Sequence, residues 1–307
     1  MLPLNHFATT PKYLIDRALH LFRSCKQVTI FVEGKSDEKF WGKFIEPKKC
    51  RTVVLEGKEN VLESSYLVES YGNRFPDLKR NGPFALALVD LDYDHLYSNL
   101  TQRDGLKYIQ FCEETDSCRD AEVLILRSVA LYDFLLQFGL HDQTEEIRKK
   151  LFESGSKIGA LRYIAANPQS KGSPFGNMGN LDLGQFFDSK TLEVNSENLI
   201  EYLSNPEPNV RRGFSKQQAE TYISEISRIT LDFKQSELCR GHDLVEMLTL
   251  HLRQLLPGKT FSVGLVDSML RLSFNLQHLK KEKIYKDIEN WGKSHGKEVM
   301  KYSDELK

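Results

Sequence analysis

The sequence predicts an α/β protein: a Rossmann-like, mostly parallel sheet within residues 1–125, followed by a mainly α-helical region over residues 126–307. Three observations lead there. Residues 28–33 and 84–90 are short continuous apolar runs, the pattern of strands buried on both faces, and each ends abruptly in carboxylates. Helical patterns alternate with such runs up to about residue 111, and short βαβαβ connections give parallel strands with right-handed crossovers. After about Asp120 the periodicity is nearly all helical.

Each element has a local reason. Thr10-Pro11 opens a helix as N-cap and first position, and Leu14, Ile15, Ala18, Leu19 and Phe22 form its apolar face. Strand one covers 28–33. Ser36 is expected to cap the next helix, with Asp37 and Glu38 in its first turn and Phe40, Trp41, Phe44 and Ile45 on its inner face. A second strand is expected at 52–55. Gly57 then turns into a helix over 59–71, which Gly72 should end. Strand three is 84–90 and strand four 106–111. One long helix is predicted over 121–138, then two shorter ones at 144–152 and 158–166. Residues 167–184 are rich in Gly, Pro, Asn and Ser and read as a long loop. A short strand is expected at 191–194, and helices at 216–233, 244–256, 263–274 and 276–291.

Bulk properties narrow the class. Acidic and basic residues nearly cancel over 307 residues, giving a formal charge of −1, so total charge announces no nucleic-acid binding. The five cysteines are odd in number and scattered, which fits a reducing cytosol better than a disulfide framework or a zinc site. No apolar run approaches the ~20 residues of a membrane span, and no signal-peptide pattern opens the chain. A soluble cytoplasmic protein with no membrane association is expected. There is no P-loop, no Gly-x-Gly-x-x-Gly and no Ser-His-Asp signature, so the chain is not expected to hydrolyse ATP itself.

The acids carry the functional signal. Glu33 ends strand one before Gly34, and Asp37 lies four residues on. Asp90 and Asp92 end strand three, and their spacing sends both to one side of an extended segment; Asp94 continues the spacing into the loop. Ligands of open α/β sheets gather beyond the carboxyl ends of the strands. Several carboxylates at one rim call for a cation, and hard oxygen donors suit Mg²⁺ or Mn²⁺. Removing Glu33 would relieve repulsion in an empty site, so stability is expected to hold or rise slightly.

Phe31-Val-Glu33-Gly34-Lys-Ser-Asp37 with Asp90-Leu-Asp92 resembles the TOPRIM fold, whose marks are Glu-Gly after the first strand and Asp-x-Asp after the third. The Glu-Gly-x-x-Asp form is similar to that of the OLD-family nucleases and the DUF4435 family. Asp116-Ser-Cys-Arg-Asp120-Ala-Glu122 and Arg240-Gly241-His242-Asp243-Leu244 resemble two further segments of that family. The resemblance implies a metal-dependent nuclease with Glu33, Asp37, Asp90 and Asp92 as ligands. AriB-like members, effectors of the PARIS anti-phage system, cut host tRNA when released from an ABC-type ATPase, so such a partner and an active homodimer are implied too.

Subsidiary candidates follow. Glu122 would add an acid from a helix start and is equally at home there as an acid placed for the dipole. His242 could be a proton carrier, but Gly241-His242-Asp243 reads first as a turn and cap before Leu244. Lys35 sits where it would reach phosphate. Arg211-Arg212-Gly-Phe214-Ser-Lys216 places an aromatic among cations and is the expected RNA contact, with DNA the other candidate substrate. The eight apolar residues crowded into 244–256 mean burial on several sides, by the core or by another chain, and the helical region is expected to mediate dimerisation and partner docking. Two other classes compete with the nuclease: a non-cleaving TOPRIM-like binding module, and a metal-dependent phosphatase for a small substrate.

Overall fold

The computed structural model describes residues 10–75, 84–91, 108–110, 119–166, 181–205, 215–294 and 296–301. It is a mixed α/β structure that divides into two compact units, a sheet unit and a helical unit.

The sheet unit begins with α1 (Pro11–Cys25), capped by Thr10, whose hydroxyl accepts the Tyr13 N–H. Its strands are β1 (Val28–Val32), β2 (Cys50–Val54), β3 (Ala85–Val89) and β4 (Tyr108–Gln110), in the order β2-β1-β3-β4 and all parallel. Every residue of β1 and β3 is buried, as their unbroken apolar runs require, while β2 at the edge is mostly half-exposed. α2 (Lys35–Gly42) makes the crossover from β1 to β2, and α3 (Lys58–Arg74) the one from β2 to β3. α3 runs through Gly72, since one glycine costs a helix only about 1 kcal/mol.

Within the helical unit the predicted helix over 121–138 is two helices, α4 (Ala121–Arg127) and α5 (Ala130–Leu136). The break falls at Ser128, whose hydroxyl accepts the Ala130 N–H. Arg148 satisfies the carbonyls left over, donating to Leu126 at 3.1 Å and Ser128 at 2.9 Å. Conversely, 144–152 and 158–166 join in one helix, α6 (Thr144–Ala166). A two-stranded antiparallel ribbon follows, β5 (Phe187–Asp188) with β6 (Glu193–Val194). Then come α7 (Ser196–Ser204), α8 (Lys216–Asp232), the short α9 (Gln235–Leu238), α10 (Gly241–Leu255) and α11 (Val263–Ser273).

The last helices, α12 (Leu276–Leu279) and α13 (Lys283–Ser294), belong to the sheet unit. Residues after α13 are tied there by an antiparallel bridge between Ile45 and Met300. Glu46 N–H donates to the Val299 carbonyl at 2.9 Å, and Lys301 N–H to that of Phe44 at 2.8 Å. A boundary at 125 would fall within α4, which already belongs to the helical unit, and the chain returns to its first unit at Asn275. Among the described residues no helix is long and apolar enough to cross a membrane.

Candidate active site

β1 and β3 are parallel neighbours, so their carboxyl ends share one rim. Glu33 follows β1, Asp90 follows β3, and both are half-buried. Glu33 Oε1 accepts the backbone N–H of Asp90 at 2.8 Å. A charge-assisted bond of this kind orients the carboxylate and locks the two strand ends together.

Gly34, not Ser36, is the N-cap of α2. The chain passes straight from strand to helix, and Asp37 supplies the acceptor: its Oδ2 takes the Gly34 N–H at 3.0 Å. Asp37 thus stands at the rim in the first helical turn, where the helix dipole favours a negative charge. Gly34 itself is extended, with φ of −140°. Lys35 is exposed at the first position of the helix.

Lys58 is a rim residue that sequence reasoning missed. Its ammonium donates to the carbonyl of Asp90 at 2.6 Å. It starts α3 just after Gly57, whose φ of +113° favours glycine and whose N–H donates to the Glu33 carbonyl at 3.0 Å. The turn after β2 is thereby fastened to the end of β1, and Lys58 is carried to the same rim. Its only sequence signal was a Gly-Lys pair after an apolar run, too common to single out.

Asp92 and Asp94 lie outside the described residues. Among the described residues, no group of three or more His, Cys, Asp or Glu side chains is arranged to hold a metal ion. The donor chemistry that is described does fit: Glu33, Asp37 and Asp90 offer only hard carboxylate oxygens.

Glu122 and His242 have structural surroundings in the helical unit. The Glu122 carboxylate is ion-paired with Arg271, which also donates to Asp267 at 2.9 and 3.0 Å. His242 is exposed in the first turn of α10. Next to it the buried Asp243 receives two hydrogen bonds from Arg162, at 2.8 and 2.9 Å. The segments around Asp120 and Gly241, far apart in sequence, form one joint. Asp120 Oδ1 accepts the Val123 N–H and Oδ2 the Gly241 N–H, both at 2.8 Å, so one carboxyl caps α4 and holds the start of α10. Burial, then the charge of Glu122, raises its pKa from 3.8 to about 7. Burial likewise raises the pKa of Glu246, one turn along α10.

Of the expected RNA contacts, Arg211, Arg212 and Phe214 lie outside the described residues. Lys216 is exposed at the start of α8 and lines a cavity of about 690 Å³ with Glu197, Glu201 and Glu220. Those three carboxylates make its described surroundings acidic.

Compared with known proteins, the chain matches no family model and no curated protein.

Proposed function

We propose that this chain is a divalent-metal-dependent nuclease of the TOPRIM kind, cleaving RNA, with host tRNA the favoured substrate and DNA the other candidate. The observation that carries the reading is the pairing of Glu33 with the Asp90 N–H at the carboxyl edge of adjacent parallel strands. Glu33, Asp37 and Asp90, with Asp92, would hold Mg²⁺ or Mn²⁺, which when bound polarises a phosphodiester and makes water a stronger nucleophile. The chain's own part is positioning. The Asp90 N–H orients Glu33, the α2 dipole holds Asp37, and Lys58 and Lys35 bring positive charge toward a phosphate at this rim. The DUF4435 resemblance adds the context of an anti-phage effector restrained by an ABC-type ATPase and active as a homodimer. Exposed apolar residues on α5 and α11, among them Leu136, Leu265 and Leu272, support a protein-binding surface on the helical unit.

Purified protein incubated with total tRNA in Mg²⁺, Mn²⁺ or EDTA tests this. Cleavage is expected only with the metals and is lost in Glu33→Gln; metal-independent cutting, or a fully active Glu33→Gln, would overturn the reading. RNA binding without cutting under every condition would instead establish the non-cleaving module.

A further inference from the structure

Beyond the carboxylate rim, the sheet unit carries a second charged feature, at the opposite ends of its strands. Lys26 sits just before β1, and Lys48 and Lys49 just before β2, at the amino edge of the parallel sheet. The returning C-terminal segment adds Lys293 and Lys297. Together with Cys25, Gly296 and Glu298 these five lysines line a cleft of about 460 Å³. Among its described lining residues Glu298 is the one carboxylate, paired with Lys49 at 2.6 Å, while Lys293 is paired with Glu289 at 2.8 Å. Arg51 on β2, near the cleft's Cys25, has Nε and Nη2 buried and, among the described residues, without hydrogen-bond partners. Its pKa is lowered by burial and then by the charge of nearby Arg17.

A chain of net charge −1 has no general excess of cations, so this gathering is local. Like charges crowded in a cleft repel, and a polyanion relieves that repulsion. We propose that the cleft binds the phosphate backbone of a nucleic acid, a site that deepens the nuclease reading above by naming where the substrate is gripped away from the carboxylates. A nucleic acid is favoured over an anionic membrane because the lysines line a concavity, and none of the exposed large apolar side chains of the described residues is at it to enter lipid. Strands of five residues span about 17 Å. At ~3.4 Å per nucleotide that is roughly five nucleotides, so even a short RNA is long enough to touch both edges.

The test is fluorescence anisotropy of the full chain with a labelled 20-nucleotide hairpin RNA, in EDTA to prevent turnover, from 50 to 200 mM KCl. The variant Lys26→Ala/Lys48→Ala/Lys297→Ala is compared with Lys12→Ala/Lys157→Ala/Lys281→Ala, which removes the same charge elsewhere. The cleft variant is expected to bind about tenfold or more weakly at 100 mM salt. The slope of log K against log salt should shrink by about 2, while the control variant stays near wild type. The milder Lys26→Ala/Lys48→Ala, both at exposed positions, should give an intermediate loss. Equal weakening in the cleft and control variants, or none in either, would overturn the proposal, as would binding of phosphatidylserine vesicles but not RNA. Weaker cleft-variant binding by a protein that never cuts RNA upholds the cleft and removes only the nuclease reading. Intact metal-dependent cutting with unchanged binding by the cleft variant does the reverse.

Discussion

Glu33 shows what one residue's sequence position leaves open. Its place at a strand end was readable from the apolar run before it, and so was that of Asp90. Their partnership was not, because the bond is to a backbone N–H 57 positions away. That bond also alters the expected consequence of removing Glu33. Repulsion is relieved, but Glu33→Ala leaves the half-buried Asp90 N–H without this acceptor, at a cost of about 1–3 kcal/mol. Glu33→Gln keeps an acceptor oxygen. We therefore expect urea midpoints in the order wild type, Gln, Ala, with Gln close to wild type; an alanine variant as stable as the glutamine one, which lacks the same charge, would show that the bond contributes nothing. Asp120 gives a pH signature at the same scale. Its pKa, raised to about 7, means the folded state keeps a proton that the unfolded chain releases near 3.8. Between those values the folded state binds more protons, so the stability this group contributes is greatest below about 4 and is lost as pH rises through 7. Thermal melts should show a midpoint falling from pH 5 to pH 8, with a flatter profile in Asp120→Asn. An identical profile in that variant would assign the pH dependence to other groups.

Among the elements, legibility followed how local the deciding interaction was. Strands β1 and β3 and the start of α1 were readable because burial on both faces and a Thr-Pro cap are written in consecutive residues. The break between α4 and α5 was not, because it depends on Arg148 from α6 reaching the carbonyls of Leu126 and Ser128. α6 runs through 153–157, between the two helices expected from sequence, and its glycines permit contact. A Cβ at Gly159 would stand 1.9 Å from the Leu238 carbonyl oxygen. The apolar crowding in α10 likewise reflects burial: Leu244, Val245, Met247, Leu248 and Leu252 are all in the core. Its first turn is equally constrained, since a Cβ on Gly241 would lie 2.2 Å from Asp120 Oδ1 and 2.5 Å from the Glu122 Cβ. Gly241→Ala should therefore destabilise the protein by about 3 kcal/mol. Asp243→Ala, which strands the buried Arg162, should cost about 3–5 kcal/mol. Chemical denaturation of both variants checks this, and a loss under 1 kcal/mol in either would mean the joint relaxes around the change.

For the molecule as a whole, the feature hardest to read was the return of the C-terminal segment to the sheet unit. Helical periodicity over 276–291 is visible in sequence, but nothing in it names the partner, and the tie to residues 44–46 spans some 250 residues. The consequence is that a chain cut at Phe274 is not simply shorter. It loses Leu279, Ile284, Tyr285, Ile288, Val299 and Met300, all buried. At roughly 1.5–3 kcal/mol for each large buried apolar side chain, the loss approaches the whole 5–15 kcal/mol by which a domain is stable. It also removes the Lys301 N–H and the Val299 carbonyl that bond to the backbone of Phe44 and Glu46, and one wall of the lysine cleft. We therefore expect a chain ending at Phe274 to lose slow amide exchange across β1 and β3, together with any metal-dependent cleavage, although Glu33, Asp37, Asp90 and Lys58 all remain in it. Hydrogen exchange read by mass spectrometry decides the matter. Peptides from β1 and β3 as protected in the shortened chain as in the full one would show that the sheet unit stands without its C-terminal segment.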